Sequence, residues 1–163
     1  IAAQVAWCAT FRPWIGAAFL WVPAAFLACT SVFLGVAHRA LVRATVSPLA
    51  FWVVRLPVTL HFGWITAASL VNANNWVART GAAMEVKVGA LLLSLFGATA
   101  VSFFVSRSTR DPIFAAVITW ALVAVSRGFE KTRLKGGIGE RLCQQLSFTT
   151  LSTATAISAF GIY

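Results

Sequence analysis

The stretch LPVTLHFGWITAASLVNANNW, from Leu56 to Trp76, decides the fold. Its 21 residues carry no charged side chain, and an α-helix of this length can cross a lipid bilayer. On a helix with about 100° per residue, one set of its side chains forms a stripe roughly 80° wide. This polar seam consists of Pro57, His61, Trp64, Ala68, Asn72 and Asn75. Apolar residues occupy the other faces, so we expect the polar seam to face other helices or a bound molecule.

The composition of the whole chain is that of a membrane protein. Of the 163 residues, 60% are hydrophobic and 10% are charged, whereas soluble proteins average about 25% charged residues. The net charge of +9 comes from 13 basic and 4 acidic residues, which separate the apolar runs. A nucleic-acid-binding protein gathers its cations on one solvated surface. The distribution therefore excludes nucleic acid and favours anionic lipid headgroups or an acidic neighbouring subunit as partners.

The apolar runs predict an all-α, polytopic membrane helix bundle that forms a single transmembrane domain over residues 1–163. Residues 1–11 are too short to span and are expected to be an N-terminal helical remnant. About five transmembrane helices follow, at Pro13 to Ala37, Pro48 to Ala78, Val88 to Ser106, Asp111 to about Ser126, and Leu142 to Tyr163. Pro23 is expected to kink the first of them.

The connections are predicted from charge and from helix-capping residues. His38, Arg39 and Arg43 are interpreted as a solvated basic connection, and residues 127–141 as the longest polar loop. Ser47-Pro48 and Asp111-Pro112 are typical helix starts, because a capping side chain precedes a proline at the first helical position.

Two runs of small or hydroxyl side chains predict helix–helix contacts. One is a small-residue ridge, which would let another helix backbone approach closely. It consists of Ala90, Ser94, Ala98 and Ser102. The last apolar run has seven Ser or Thr residues, and one of its faces is suited to hydrogen bonds between helices. That face holds Ser147, Thr150, Ala154 and Ser158.

No catalytic constellation is visible, and we predict no enzyme activity and no catalytic residue. The four acids are Glu85, Asp111, Glu130 and Glu140; all lie at predicted helix ends, away from His61. A general base needs a partner within hydrogen-bond reach. The glycine-rich KGGIG at 135–139 lacks the spacing of a phosphate-binding loop. The three cysteines, Cys8, Cys29 and Cys143, are too scattered for a disulfide framework and are interpreted as buried apolar residues.

His61 is the sharpest single candidate for binding. An imidazole within the bilayer can be the axial ligand of a tetrapyrrole metal, or it can be a structural histidine bonded to a neighbouring helix. The chain is also tryptophan-rich, with seven in all. Trp7, Trp14, Trp52 and Trp76 lie near predicted helix ends, as interfacial belts require. Trp21, Trp64 and Trp120 lie deeper, where they either line a pocket for a flat hydrophobic molecule or pack in the core.

These residues resemble a known family. The stretch from Trp64 to Asn72, with Thr at +2, Ala at +4 and Asn at +8 from the tryptophan, resembles the last-helix signature of the tryptophan-rich sensory protein and translocator protein (TspO/MBR) family. Pro57 and the segment DPIFAAVITWALVA, Asp111 to Ala124, resemble its divergent, longer relatives. The resemblance covers Gln4 to about Ala124. It implies a five-helix membrane bundle with a pocket for porphyrins or sterols and no settled catalytic activity, and it implies that Trp64, Ala68 and Asn72 face that pocket.

We therefore expect a non-catalytic integral membrane protein that binds a tetrapyrrole, such as chlorophyll, haem or porphyrin, or a similar hydrophobic ligand in a groove of the bundle. The ligand-binding residues would be His61, Trp64, Ala68, Asn72 and Trp120, with His61 as the axial ligand of the metal. The alternative is an accessory structural subunit of a photosynthetic, photosystem-type, or respiratory membrane supercomplex that contacts chlorophyll, carotenoid and lipid. An organellar membrane, plastid thylakoid or mitochondrial, would suit either function.

Overall fold

The computed structural model describes residues 2–11, 16–134 and 140–161, and within them the regular structure is helical. The helices are α1 (Ala2–Thr10), α2 (Trp21–Arg43), α3 (Pro48–Arg79), α4 (Met84–Thr109), α5 (Pro112–Leu134) and α6 (Glu140–Gly161), with a short 3₁₀ turn at Ala17–Phe19. This confirms the all-α membrane bundle and the N-terminal helix.

Four helices of the described chain are long and apolar enough to cross a membrane. They are α2, α3, α4 and the segment Pro112–Phe129 of α5. The sequence predicted a fifth span at the C-terminal run, which here forms α6. Its seven hydroxyl side chains lower its hydropathy, and it is not among the helices that qualify in the part of the chain that is described.

The chain divides into two compact units, Ile1–Ala98 and Thr99–Tyr163, which are described separately. In the first, α1 packs on α2 and α2 packs on α3. In the second, α5 packs on α6. The single transmembrane domain over residues 1–163 stays a prediction.

The α5–α6 pair is held by the polar face that the sequence predicted. Thr150 and Ala154 are almost completely buried. Ser147 Oγ donates to the Ser126 carbonyl at 3.4 Å, and Thr119 Oγ1 donates to the Ala154 carbonyl at 3.4 Å. The side chain of Ser158 lies outside the described residues. Because the partners advance along α5 as they recede along α6, the two helices are antiparallel.

The predicted helix starts are confirmed by their caps. Ser47 Oγ accepts a hydrogen bond from the Ala50 amide at 3.2 Å, and Asp111 Oδ1 accepts one from the Ile113 amide at 3.0 Å. Each cap is followed by a proline, whose missing N–H would have no acceptor in the first turn. These starts are local features, which explains why the sequence alone places them.

Two predictions about the first span were wrong. The helix begins at Trp21, so Pro23 lies in the first turn, where proline is tolerated, and does not kink the middle of a span. The helix also continues to Arg43, so His38 and Arg39 belong to α2 and not to a connection. The predicted start at Pro13 lies outside the described residues.

The predicted polar loop is shorter than expected. α5 continues through Arg127 to Leu134, because Glu, Lys, Arg and Leu in this stretch favour helix. The KGGIG segment at 135–139 lies outside the described residues. The interpretation of all three cysteines as buried was also wrong in part, since Cys143 is buried but Cys8 and Cys29 are exposed.

Pro57 does not break the helix that contains the Leu56 to Trp76 stretch. Residues Phe51–Arg55 form a π-turn, in which the Leu56 amide donates to the carbonyl of Phe51. Such single-turn bulges adjust the hydrogen-bond ladder at sites where a regular one is interrupted, and proline interrupts it by lacking an N–H. α3 therefore runs from Pro48 to Arg79 with Pro57 inside it.

Candidate functional site

The buried face of α3 is not the polar seam. The buried residues of this helix are Thr59, Phe62, Gly63, Ile65 and Thr66. At about 100° per residue, Ile65 borders the polar seam, and the other four lie on the far side of the helix from it. The Phe62 ring rests over Gly35 of α2, where an added Cβ would approach its Cζ atom to 3.1 Å. The absence of a side chain at position 35 therefore allows the ring to lie against the backbone of α2.

Two hydrogen bonds join α2 to α3 beside this ring. Thr59 Oγ1 lies 3.0 Å from His38 Nδ1 and donates its own hydrogen to the Arg55 carbonyl at 3.0 Å. Because a threonine has one hydroxyl hydrogen, Thr59 must accept from His38, which places a hydrogen on Nδ1. About two helical turns from this pair, Ser31 Oγ of α2 lies 2.7 Å from Thr66 Oγ1 of α3.

His38 packs between α2 and α3, which its sequence neighbours did not indicate. Only 1% of its surface is exposed, and its ring lies 5.7 Å from that of Phe62, so the interpretation as a solvated residue was wrong. The neighbouring arginines suggested a connection. A signal was available, since Ser31, Gly35 and His38 recur at helical spacing.

A cavity of about 480 Å³ lies on the first unit, between α1, α2 and α3. We call it the α1–α2–α3 groove. Most of its wall is apolar, and three side chains carry polar atoms. The lining residues are Ala2, Ala3, Gln4, Thr30, Phe33, Leu34 and His61. The groove therefore combines an apolar surface with the one imidazole of the polar seam.

The predicted ligand-binding residues differ in their surroundings. In the described part of the chain, His61 is the member of that set which lines the groove. Trp64 is 48% exposed, and Ala68 and Asn72 are half-buried. Asn72 Nδ2 donates to the Ala68 carbonyl at 2.9 Å, within the same helix. Trp120 is 61% exposed on α5, in the second unit.

Helix α4 contacts α3 through Asn74, which is not part of the polar seam. Asn74 Nδ2 donates to Ser94 Oγ of α4 at 2.7 Å and to the Leu70 carbonyl at 2.9 Å. Ser94 belongs to the small-residue ridge, whose members Ala98 and Ser102 are 3% and 1% exposed. Ala98 and Ser102 are thus buried, whereas Ala90 and Ser94 are half-buried, and the close approach of another helix backbone to this ridge stays a prediction. Asn74 is the partner of Ser94 that the sequence did not identify.

The side chains that could donate to a metal ion limit which metals the protein can bind. Within the described residues, no group of three His, Cys, Asp or Glu side chains could hold a metal ion. A metal whose other positions are filled by a macrocycle needs one or two axial donors from the protein. The imidazole of His61 on the groove wall fits that requirement with a single nitrogen.

The family model described as TSPO-like protein matches residues 1–163. The chain belongs to the TSPO-like protein family. The match extends over the whole chain, beyond the Gln4 to Ala124 region that carries the motif resemblance. No curated protein and no solved structure matches the chain. Membership in the TSPO-like family, together with four apolar helices, makes the chain an integral membrane protein, and the family is generally non-catalytic.

Proposed function

We propose that this TSPO-like protein binds a tetrapyrrole or a similar flat hydrophobic molecule in the α1–α2–α3 groove and catalyses no reaction. The observation that supports this most is the groove itself. Its volume of about 480 Å³ falls in the range of roughly 300–1,000 Å³ found for small-molecule sites. Such sites are mostly apolar with few polar groups, as this one is.

The polar groups of the groove restrict the ligand. Thr30 Oγ1 donates its hydrogen to the Phe26 carbonyl at 2.8 Å, so it presents only an acceptor to a ligand. Gln4 presents an amide with both donors and an acceptor. Phe33 and Leu34 supply apolar contact. We infer a ligand with a large apolar body and a small number of hydrogen-bonding substituents.

His61 is the proposed contact to a metal at the centre of such a ligand. A bound metal tetrapyrrole would bring visible absorption and, with iron, redox chemistry. The protein would contribute one neutral imidazole nitrogen from a half-buried side chain, which places no charge in the membrane. The other predicted ligand contacts stay proposals, and all four side chains are at least partly exposed. They are Trp64, Ala68, Asn72 and Trp120.

The experiment is a titration of the protein in nanodiscs with metal-free protoporphyrin, followed by quenching of tryptophan fluorescence. Ala3→Phe places a ring in the groove wall, and Ala100→Phe places the same ring on an exposed position of α4. Because overfilling costs about 1–3 kcal/mol, Ala3→Phe should weaken binding by about ten-fold or more, and Ala100→Phe should not.

Equal affinities for the two variants would contradict the groove as the site. Absence of saturable binding, with co-purification of a large pigment-bearing assembly, would instead support the accessory-subunit alternative. A plastid thylakoid or mitochondrial membrane stays the predicted location, and fractionation against marker proteins of each membrane tests it.

A further inference from the structure

The α1–α2–α3 groove lies at the middle of its longest wall helices. Helix α2 begins at Trp21 and ends at Arg43. The lining residue Thr30 lies nine residues after that start, and the lining residue Leu34 lies nine residues before that end. At about 1.5 Å per residue, each is roughly 13 Å from the nearer end of the helix. Since the hydrocarbon core of a bilayer is about 30 Å thick, the groove lies at the depth of the acyl chains.

Among the described residues, the groove wall carries no lysine, arginine or carboxylate. Its polar groups are the amide of Gln4, the hydroxyl of Thr30 and the imidazole of His61. Helix α1, which supplies Gln4, has no charged residue between Ala2 and Thr10. A carboxylate of a ligand would therefore meet no lysine or arginine on this wall.

The arginines of α2 and α3 lie away from the groove. At about 100° per residue, Arg39 and Arg43 are roughly 170° and 130° around α2 from the mean direction of its groove residues. Arg55 is roughly 120° around α3 from His61. Arg79 shares the face of His61, but it lies roughly 27 Å further along the helix. These four cations are therefore not positioned to neutralise a carboxylate within the groove.

One side of the groove is open to its surroundings. Phe33 lines the groove and is 67% exposed, and Val36 on the next turn of α2 is 65% exposed. At this depth an exposed apolar side chain meets acyl chains, which are as apolar as it is. An apolar substituent of a ligand can therefore extend from the groove along this surface of α2.

We propose that the groove selects a tetrapyrrole whose carboxyl groups are esterified over one whose carboxyl groups are free. This inference rests on the proposed function and specifies the chemical class of the ligand. An unpaired carboxylate at the depth of the acyl chains is costly, whereas an ester is uncharged and only accepts hydrogen bonds. Gln4 supplies the N–H donors for such an acceptor, and the alcohol part of the ester would lie along Phe33.

The test compares protoporphyrin, a dicarboxylic acid, with its dimethyl ester. The full chain in phosphatidylcholine nanodiscs is titrated with each macrocycle, and the pigment taken up by nanodiscs without protein is subtracted. Affinities refer to the concentration of each macrocycle in the bilayer, so that the greater lipid solubility of the ester does not contribute. The ester should bind about ten-fold more tightly or better, because the free acid must bring a charge to the depth of the acyl chains.

Two lysine variants show whether the missing cation decides this preference. Gln4→Lys places an ammonium group on the groove wall and should lower the ratio of the two affinities by about ten-fold, since the new cation pairs with a carboxylate. Thr80→Lys adds the same charge at the exposed C-cap of α3 and should keep the wild-type ratio. A fall of equal size in Thr80→Lys would overturn the inference, because net charge alone would then explain the ratio.

The wild type alone also decides the matter. Saturable binding of both macrocycles with equal affinity, or tighter binding of the free acid, would overturn this inference while leaving the groove as a tetrapyrrole site. Saturable binding of neither macrocycle would overturn the proposed function and this inference with it.

Discussion

Two faces of the same helix differ in what they do. The face of α3 that holds Phe62, Thr59 and Thr66 is buried against α2, whereas the polar seam with His61 and Trp64 stays half-buried or exposed. The buried face uses a ring over a glycine and short hydroxyl side chains. The polar seam carries the large amphipathic side chains. In this helix, the close contact with α2 uses an aromatic ring over a glycine and short hydroxyl groups, while the imidazole of His61 stays partly exposed on the polar seam.

The physical reason lies in the membrane environment. Lipid is as apolar as a leucine side chain, so helices associate by close packing and hydrogen bonds and not by hydrophobic burial. Ser31, Gly35 and His38 of α2 supply such contacts in register with α3. The polarity of a face therefore does not by itself identify the face that packs.

The largest expected effect comes from emptying the buried face. Phe62→Ala should lower the free energy of unfolding in detergent by about 3 kcal/mol, since it removes a buried aromatic ring and leaves a cavity. Trp64→Ala, on the polar seam of the same helix, should cost less than about 1 kcal/mol, since surface positions tolerate change. Chemical denaturation of both variants measures the difference, and a larger loss for Trp64→Ala would reverse the assignment of the two faces.

A smaller effect is expected from filling the contact between Gly35 and Phe62. Gly35→Leu should cost about 1–3 kcal/mol, because the new side chain enters space that the ring occupies. Gly97→Leu is the matched control, since no heavy atom lies within 4 Å of its added Cβ. Thermal midpoints of the two variants decide it. A fall for Gly97→Leu as large as that for Gly35→Leu would show that the close approach to α2 is not what matters.

The small-residue ridge of α4 should also be sensitive to added bulk. Ala98→Leu should cost about 1–2 kcal/mol, because Ala98 is 3% exposed and added methyl groups must displace neighbours. The same substitution at the exposed Ala100 should change little. Thermal stability in detergent is measured for both, and equal midpoints would mean that the ridge tolerates bulk.

The smallest expected effect belongs to the hydroxyl contacts. Thr66→Val keeps the shape of the side chain and removes its bond with Ser31. Interhelical hydrogen bonds in membranes contribute about 0.6 kcal/mol each. A double-mutant cycle with Ser31→Ala should give a coupling energy of that size. A coupling energy of zero would leave the packing of Phe62 as the explanation for the α2–α3 contact.

The features that the sequence predicted are local ones. The length of the uncharged run at Leu56 to Trp76 predicted a membrane-spanning helix, and the capping residues Ser47 and Asp111 predicted two helix starts. The ridge at Ala98 was also recognisable, since its spacing is that of one helix face. Each of these depends on a few consecutive residues and not on what lies across from them.

The features that it missed depend on neighbours. Which face of α3 is buried is decided by Gly35 and His38, more than twenty residues away in the chain. His38 was interpreted from its arginine neighbours, although burial against Thr59 decides its role. The groove at His61 requires α1 to pack on α2, which periodicity within one helix cannot show.

The most direct test of this account is the binding of zinc protoporphyrin and of metal-free protoporphyrin to the wild type and to His61→Phe in nanodiscs. Changes in the outer shell of a metal site alone cost about 10–100-fold in affinity, so loss of the proposed metal ligand should weaken the binding of zinc protoporphyrin by at least about ten-fold. Metal-free protoporphyrin should bind the two proteins alike, because the phenyl ring preserves the groove wall. Unchanged affinity for zinc protoporphyrin, or an equal loss for both macrocycles, would contradict His61 as a metal ligand on the open face of α3.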